Sequence, residues 1–419
     1  LLMTEKNNGE LPEKRGLGRD AQEPEAKEKP SHGGECSAAK SLAASLTFAA
    51  ATALALALLT FTPGRTAWPH WTWLSFTAGI AFLIMRTGRV SRWRAVFFVV
   101  LAVGFMLKFK AALLGLTGSA FVTDKVQEVP YCHIALSSSI LNSVYNQYLA
   151  LKSGAWQLWG PLSLGVLWLA FTLALGTGWC SWVCWYGGID DFFSRLLGRF
   201  RLRKVGIPPA LRDLPLGILL FFAAVSMMSL KPEFCLWACP LKITTGFLDP
   251  IDSVRKAQFA VFVTLGVITL VVGPFVLGKR VFCGLICPFG AWQSFFGKVN
   301  PFRVTVREEA CTKCRACAVA CPTFSIEQAP SSIPKVLAYC NRCGECVDVC
   351  PTHAITYTLW DKLPSRPAEN SGASDPLAEL LDVRSLYILC ALTLGGAVGG
   401  LFVPDALRAL SSALLPGGH

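Results

Sequence analysis

Long apolar runs alternate with short basic loops along most of the chain. A run of about 20 apolar residues can cross a hydrocarbon core about 30 Å thick. Such runs occupy 41–61, 71–85, 95–116, 158–177, 213–230, 258–277 and 385–403. The second and fifth are short, with less tilt or an aromatic flank completing the crossing. Arg86, Arg89, Arg92 and Arg94 share one loop; Arg195, Arg199, Arg201, Arg203, Lys204 and Arg212 share another. Lys and Arg accumulate on the cytoplasmic side of membrane proteins. The pattern therefore predicts an internal N-terminus, outer loops at 117–157 and 231–257, and a return to the inside at Lys279 and Arg280. The glycines of the last run suit a tightly packed helix or a re-entrant segment. As a span it would put the C-terminus outside.

Polar stretches set the remaining boundaries. Residues 1–40 are charged, contain no secretory signal, and read as a disordered cytoplasmic tail whose biological start is Met3. Residues 361–383 carry Pro, Ser, Gly and charge, as linkers do. The expected division is a tail (1–40), a transmembrane helical domain (41–302), a cysteine-rich module (303–360), a linker (361–383), and a C-terminal membrane helix with its tail (384–419). The expected fold is an all-α polytopic membrane bundle of about six to seven spans carrying a small α+β module.

Composition agrees. The 419 residues are 53% hydrophobic and only 16% charged, with a mean hydropathy of +0.47, beyond the range of ordinary soluble proteins. The net charge of +12 reads as positive-inside loops rather than a nucleic-acid surface. None of the five histidines (His32, His70, His133, His353, His419) lies in an expected span, which argues against a bundle holding two b-type haems. No G-x-G-x-x-G opens a helix after a strand and no Walker motif occurs, so NAD and ATP sites are not indicated.

The seventeen cysteines change the picture most. CTKCRACAVACP runs from Cys311 and CNRCGECVDVCP from Cys340. Each is C-x₂-C-x₂-C-x₃-C-P, the bacterial ferredoxin run in which the fourth cysteine serves the other cluster. Cys311, Cys314, Cys317 and Cys350 are thus the expected ligands of one [4Fe-4S] cluster; Cys340, Cys343, Cys346 and Cys321 those of a second. Zinc usually takes separated C-x₂-C pairs. Lys313, Arg315 and Arg342 lie among the ligands, where they would raise the potential, dock an acidic partner or simply face solvent. His353 reads as a surface neighbour.

An internal repeat follows the same chemistry. GWCSWVCWYGGIDDFFSRLLGR from Gly178 parallels VFCGLICPFGAWQSFFGKVNPFR from Val281. Cys180/Cys184 and Cys283/Cys287 are expected at the cytoplasmic edge beneath the ferredoxin, as ligands of a further Fe–S cluster or as buried cysteines. Cys235 and Cys239 in CLWACP, with Cys132 and His133, fall in outer loops. They form a candidate outer-face site for metal or thiol chemistry, disulfides included. Lys108 and Lys110 are candidates for a quinone or anion site, or for snorkelling to the interface. Trp68, Trp71, Trp73, Trp179, Trp182 and Trp185 fit interfacial belts.

On CGLICPFGAWQ from Cys283, CSWVC from Cys180 and the double ferredoxin motif, the chain resembles the polytopic membrane polyferredoxins of the NapH/NosR type over roughly 158–360. The sequence departs from that pattern at Trp185, where Pro would follow the cysteine, and in its additional C-x₃-C-P at Cys235. It shows no large flavin-binding domain. The resemblance implies an inner-membrane electron-transfer subunit of an oxidoreductase complex, with its ferredoxin domain cytoplasmic. Expected partners are other redox subunits or soluble electron carriers, membrane lipid and a quinone, not nucleic acid. The chain itself supplies no catalytic residue. The alternatives are a maturation factor that delivers or reduces metal for a periplasmic enzyme, and an outer-face thiol–disulfide reductant.

Overall fold

The computed structural model describes residues 41–60, 67–113, 133–138, 140–154, 161–197, 207, 209–242, 252–327, 331–360, 363–364 and 376–414. The expected tail, most of the linker, Cys132 and the basic run Arg199–Lys204 lie outside them.

Helices come first: α1 (Leu42–Thr60), α2 (Trp68–Thr87) and α3 (Val90–Leu113). In α1 the polar positions are Ser45 and three threonines. The hydroxyls of Thr47, Thr52 and Thr60 donate to the carbonyls four residues back, which hides them in an apolar helix. α2 has Pro69 in its first turn and stops at Gly88, whose φ of 65° lets its N–H reach the Ile84 carbonyl. α3 begins two residues later, so α2 and α3 form a hairpin with its turn at Gly88.

Next come α4 (His133–Ser138), α5 (Ile140–Lys152), α6 (Pro161–Leu175), α7 (Trp179–Trp182), α8 (Trp185–Leu197), α9 (Pro209–Arg212) and α10 (Leu214–Ser229). A continuous helical segment, Ser253–Leu277, contains a π turn at Val267–Val272. The helix Pro288–Gly297 leads into β1 (Phe302–Val306).

β1 pairs antiparallel with β4 (Ile355–Leu359), from Phe302↔Leu359 to Val306↔Ile355, and β5 (Leu363–Pro364) extends this sheet. A second ribbon joins β2 (Ile326–Glu327) to β3 (Lys335–Val336). Short helices Ala316–Ala320 and Glu345–Asp348 carry the third cysteine of each run, Cys317 and Cys346. This is a small α+β module, and it packs directly on the helices. Asp348 accepts from the Ser91 N–H at 2.7 Å, filling an orphan donor at the start of α3. Tyr357 stacks on Tyr387 at 4.9 Å, and both hydroxyls donate to the Arg342 carbonyl.

The helix Val383–Gly399 is the close-packed element its glycines predict. Trp73 Nε1 donates to the Gly396 carbonyl at 2.7 Å, and a methyl group at Gly399 would collide with the Trp73 ring. This helix bends by 46° into Val403–Leu414. Among the described residues three helices are long and apolar enough to cross a membrane: Leu42–Thr60, Val90–Lys108 and Ser253–Leu277; the bent pair makes a fourth. The other expected spans coincide with α2, α6 and α10, which do not meet both criteria; α6 has 15 residues and α10 has 16.

Candidate metal centres

The two cysteine runs of the α+β module adopt the same backbone at the same offsets. Lys313, Arg315 and Phe324 have φ of 58°, 64° and 57°; their counterparts Arg342, Gly344 and His353 have 51°, 84° and 51°. A left-handed non-glycine residue costs roughly 1–2 kcal/mol, so five of them at matched positions serve the loop geometry. Alternating left- and right-handed residues turn successive N–H groups into a concavity, the nest that holds phosphates and Fe–S groups. Two N–H groups already reach sulfur: Ser325 to Cys321 Sγ and Ala354 to Cys350 Sγ, each at 3.3 Å.

Cys311, Cys314, Cys317 and Cys350 line one cavity. Cys340, Cys343 and Cys321 are electrostatic neighbours of Cys346. Burial pushes the Cys340 thiol up to about 11 and the Cys343 thiol up to about 12. Thiols so placed ionise when a metal replaces the proton. Among the described residues no three His, Cys, Asp or Glu groups converge on a single ion. A cubane binds each of its four thiolates at a different iron, so the donor set fits the group. Cys314 of the first set is exposed, whereas Cys317 and Cys350 of that set and Cys321, Cys343 and Cys346 of the second are buried.

Cys184 lies deeper than expected, while Gly284, beside Cys283, packs against Phe324 of the ferredoxin module. α8 runs antiparallel beside α3: Arg195 Nη2 meets Ser91 Oγ at 2.8 Å, Arg94 meets Asp191, and Trp185 stacks on Phe105 with centroids 4.2 Å apart. Ser91 to Phe105 is fourteen residues of helix, about 21 Å. Cys184, adjacent to Trp185, is therefore far from the cytoplasmic edge foreseen for it. The chain enters from the ferredoxin end, where the Leu175 carbonyl accepts from Arg342 Nη1 at 2.7 Å, and returns there through α8.

The second pair repeats the excursion. It starts where Arg280 N–H meets the Pro322 carbonyl and returns to Gly297, whose carbonyl accepts from Arg342 Nη2. Both excursions turn on an N–H reaching back five residues: Cys184 to the Trp179 carbonyl at 3.0 Å and Cys287 to the Phe282 carbonyl at 2.9 Å. Such π turns recur at functional sites. Irregular backbone at this depth survives where protein buries it, and Trp182 and Phe282 are fully buried.

The outer-face site needs a matching correction. α10 leaves the ferredoxin end at Asp213, which accepts from Tyr339 Oη, and Phe234–Ala238 is a third π turn carrying Cys235. Cys235 and Cys239 are buried, and Cys239 is an electrostatic neighbour of Cys287, as is Cys184. His133, foreseen beside Cys132 in an outer loop, has Nε2 3.1 Å from Cys184 Sγ. Aromatic rings enclose its imidazole: Phe289 at 4.5 Å, Trp185 at 5.2 Å and Trp179 at 5.7 Å. Apolar hairpins entering from both ends thus bring the two groups of thiols together.

A buried charge network joins this region to the ferredoxin module. Arg94 and Arg280 are fully buried, as are Asp190 and Asp191. Arg94 Nη2 donates to both Asp191 oxygens at 3.1 and 3.3 Å, and Arg195 Nε to Oδ2 at 2.9 Å. Arg195 also reaches Glu345 at 2.7 Å. Arg280 Nη2 donates to Cys283 Sγ at 3.2 Å and to the carbonyls of Cys180 and Gly187; Asp190 accepts from the Cys283 N–H at 2.8 Å. Arg280 is also an electrostatic neighbour of Cys343, so one guanidinium stands between the two cysteine regions. Counting Arg94 and Arg280 as loop charges missed this. The signal was Asp190–Asp191 in an apolar hairpin, since intramembrane acids need partners. Lys108, by contrast, is tied to Asp405 at 2.6 Å and the Leu401 carbonyl, which braces the bent helix pair; the Lys110 side chain lies outside the described residues.

Comparison with known families finds 4Fe-4S binding domains of two kinds. One matches three times, at 157–208, 214–251 and 259–306; the other matches twice, at 304–327 and 333–356. Each of the three carries one C-x₃-C pair, so the Cys235/Cys239 pair taken as an addition falls in a third copy of the repeat. Helices with candidate spans and 4Fe-4S domains define an iron–sulfur membrane protein. It resembles the polyferredoxins of the NapH/NosR type. Similar proteins include YccM of Escherichia coli, 26% identical over 38% of this chain and 44% of YccM. The regulatory protein NosR of Pseudomonas aeruginosa is 28% identical over 44% of this chain and 26% of its own length. The ferredoxin-type protein NapH of Haemophilus influenzae is 26% identical over 36% of this chain and 49% of its own length. The chain spans less than half the length of each. No solved structure matches.

Proposed function

We propose that the protein is a multi-pass inner-membrane electron-transfer subunit, relaying electrons between a cytoplasmic or quinone-linked donor and a partner redox protein. The observation that carries this reading is the continuous series of cysteine sets from the exposed Cys314, through buried Cys343, across Arg280 to Cys283 and on to Cys184. Cys311, Cys314, Cys317 and Cys350 hold one [4Fe-4S] cluster; Cys340, Cys343, Cys346 and Cys321 hold another. Cys180, Cys184, Cys283 and Cys287 hold a third. When bound, each cubane carries one electron at a time at a potential tuned by its surroundings. The protein's part is to fix the spacing, to supply N–H donors to sulfur, and to keep water from the inner set with Trp182, Phe282 and Phe289. The ferredoxin module faces the cytoplasm, consistent with the basic loops at that end. Low-temperature paramagnetic resonance of anaerobic, dithionite-reduced protein tests this: three reducible centres are expected, and a silent sample contradicts it.

One observation favours a second role. Three repeats supply six thiols, and a cubane takes four. Cys235 and Cys239, which enter from the end opposite the ferredoxin, are left for thiol chemistry or a soft metal ion. Copper(I) uptake lost in a Cys235→Ser/Cys239→Ser variant supports delivery or reduction of metal for a partner enzyme. No uptake by the wild type argues against it.

A further inference from the structure

Two membrane thiols have side-chain donors to sulfur in addition to the backbone donors seen in both regions. In the ferredoxin, backbone N–H groups of Ser325 and Ala354 reach Cys321 and Cys350. In the membrane region the backbone N–H groups of Phe289 and Gly290 serve Cys287 in the same way, and two side chains reach other thiols: Arg280 Nη2 lies 3.2 Å from Cys283 Sγ, and His133 Nε2 lies 3.1 Å from Cys184 Sγ. Arg280 belongs to a network in which Arg94, Arg195 and Arg280 face Asp190, Asp191 and Glu345, so its formal charge is balanced there. His133 stands outside that network. It is 7% exposed, inside a box of Phe289, Trp185, Trp179 and Tyr186.

We propose that His133 is a positioning residue for the membrane centre, donating Nε2–H to the Cys184 thiolate and thereby raising that centre's reduction potential. The inference rests on the reading that Cys184 is a cluster ligand. A ligating cysteine has lost its proton, so it can only accept. The imidazole must then be the tautomer protonated at Nε2, whichever nitrogen carries the proton in the metal-free chain. A hydrogen bond to a ligand sulfur withdraws electron density and favours the reduced state, one of the levers by which proteins set Fe–S potentials. The aromatic box excludes water, so no solvent donor competes for this sulfur. Its low polarity also strengthens the bond over one in water. The role would give a buried histidine at the start of α4, 51 residues from its sulfur in sequence, a share in the chemistry of the hairpin.

The test is a potentiometric titration of the full-length chain, followed by paramagnetic resonance, in wild type, His133→Leu and His133→Gln. Leucine fills the box without a donor; glutamine keeps an N–H. The expected result is a membrane centre whose reduction equilibrium constant falls about tenfold in His133→Leu, about 59 mV for one electron. Most of that is regained in His133→Gln, and the two ferredoxin signals do not move. Those unmoved signals also establish that the variant is folded. A potential indifferent to His133→Leu overturns the inference, as does an equal loss in both variants. A wild-type protein holding only two cubanes removes the underlying reading along with it. A third centre whose potential ignores His133 removes the inference alone.

Discussion

The ferredoxin module and the membrane hairpins both gather cysteine thiols, and on the proposed reading both hold an inorganic group, with different means. The module uses left-handed residues at fixed offsets from each cysteine, so the donors are backbone N–H groups a few residues away. The hairpins use π turns whose first and last residues frame the pair; to the backbone N–H donors of Phe289 and Gly290 at Cys287 they add side chains, Arg280 three residues from Cys283 and His133 from 51 residues away. The module is wet on one side, with Cys314 exposed; the hairpins are sealed by tryptophan and phenylalanine. Local turn chemistry suffices where water can complete the shell. In the dry interior side chains supplement the backbone donors, and the His133–Cys184 contact requires long-range assembly.

The largest expected effect separates the two regions outright. Cys346→Ala should remove one ferredoxin cubane and roughly a third of the iron if three cubanes are bound, while leaving the membrane centre's signal; loss of every signal would mean the regions do not assemble independently. Next comes the charge network. Asp191 is 1% exposed between Arg94 and Arg195, and removing one partner of a buried pair costs about 3–5 kcal/mol. Asp191→Ala should therefore lower the unfolding midpoint in detergent sharply, and a midpoint near wild type would deny the network its structural role. Gly399→Ala places a methyl group on the Trp73 ring, and overpacking of this kind costs about 1–3 kcal/mol. Its denaturation should shift less than that of Asp191→Ala, with the cluster signals unchanged. Smallest is Lys108→Ala. The Lys108–Asp405 pair is part-exposed, and such pairs contribute about 0–1 kcal/mol, so neither stability nor electron transfer should move measurably.

The same contrast explains what was legible in the sequence. The module's eight cysteines lie within one stretch, 311–350, and their spacing is itself the loop geometry. The hairpin cysteines were visible as a repeat, but their depth was not. The counting of basic residues assigns a side to each loop and says nothing about burial, so Arg94 and Arg280 looked like surface charges. Apolar runs at 158–177 and 213–230 look alike whether a helix crosses or is followed by a dip and a return. The dip turns on Cys184 and Cys287 reaching back five residues, a backbone choice with no local signature beyond the aromatic residue before each pair. His133 was marked as a candidate for the wrong reason, as a neighbour of Cys132. Its contact with Cys184 exists only once α4 has docked among Trp179, Trp185 and Phe289.

The central claim is that the re-entrant cysteines hold iron. Iron and acid-labile sulfide should be counted per chain in anaerobically purified wild type and in a Cys180→Ala/Cys184→Ala variant with intact ferredoxin signals. The account predicts about twelve iron atoms in the wild type and about eight in the variant. About eight in both would contradict it.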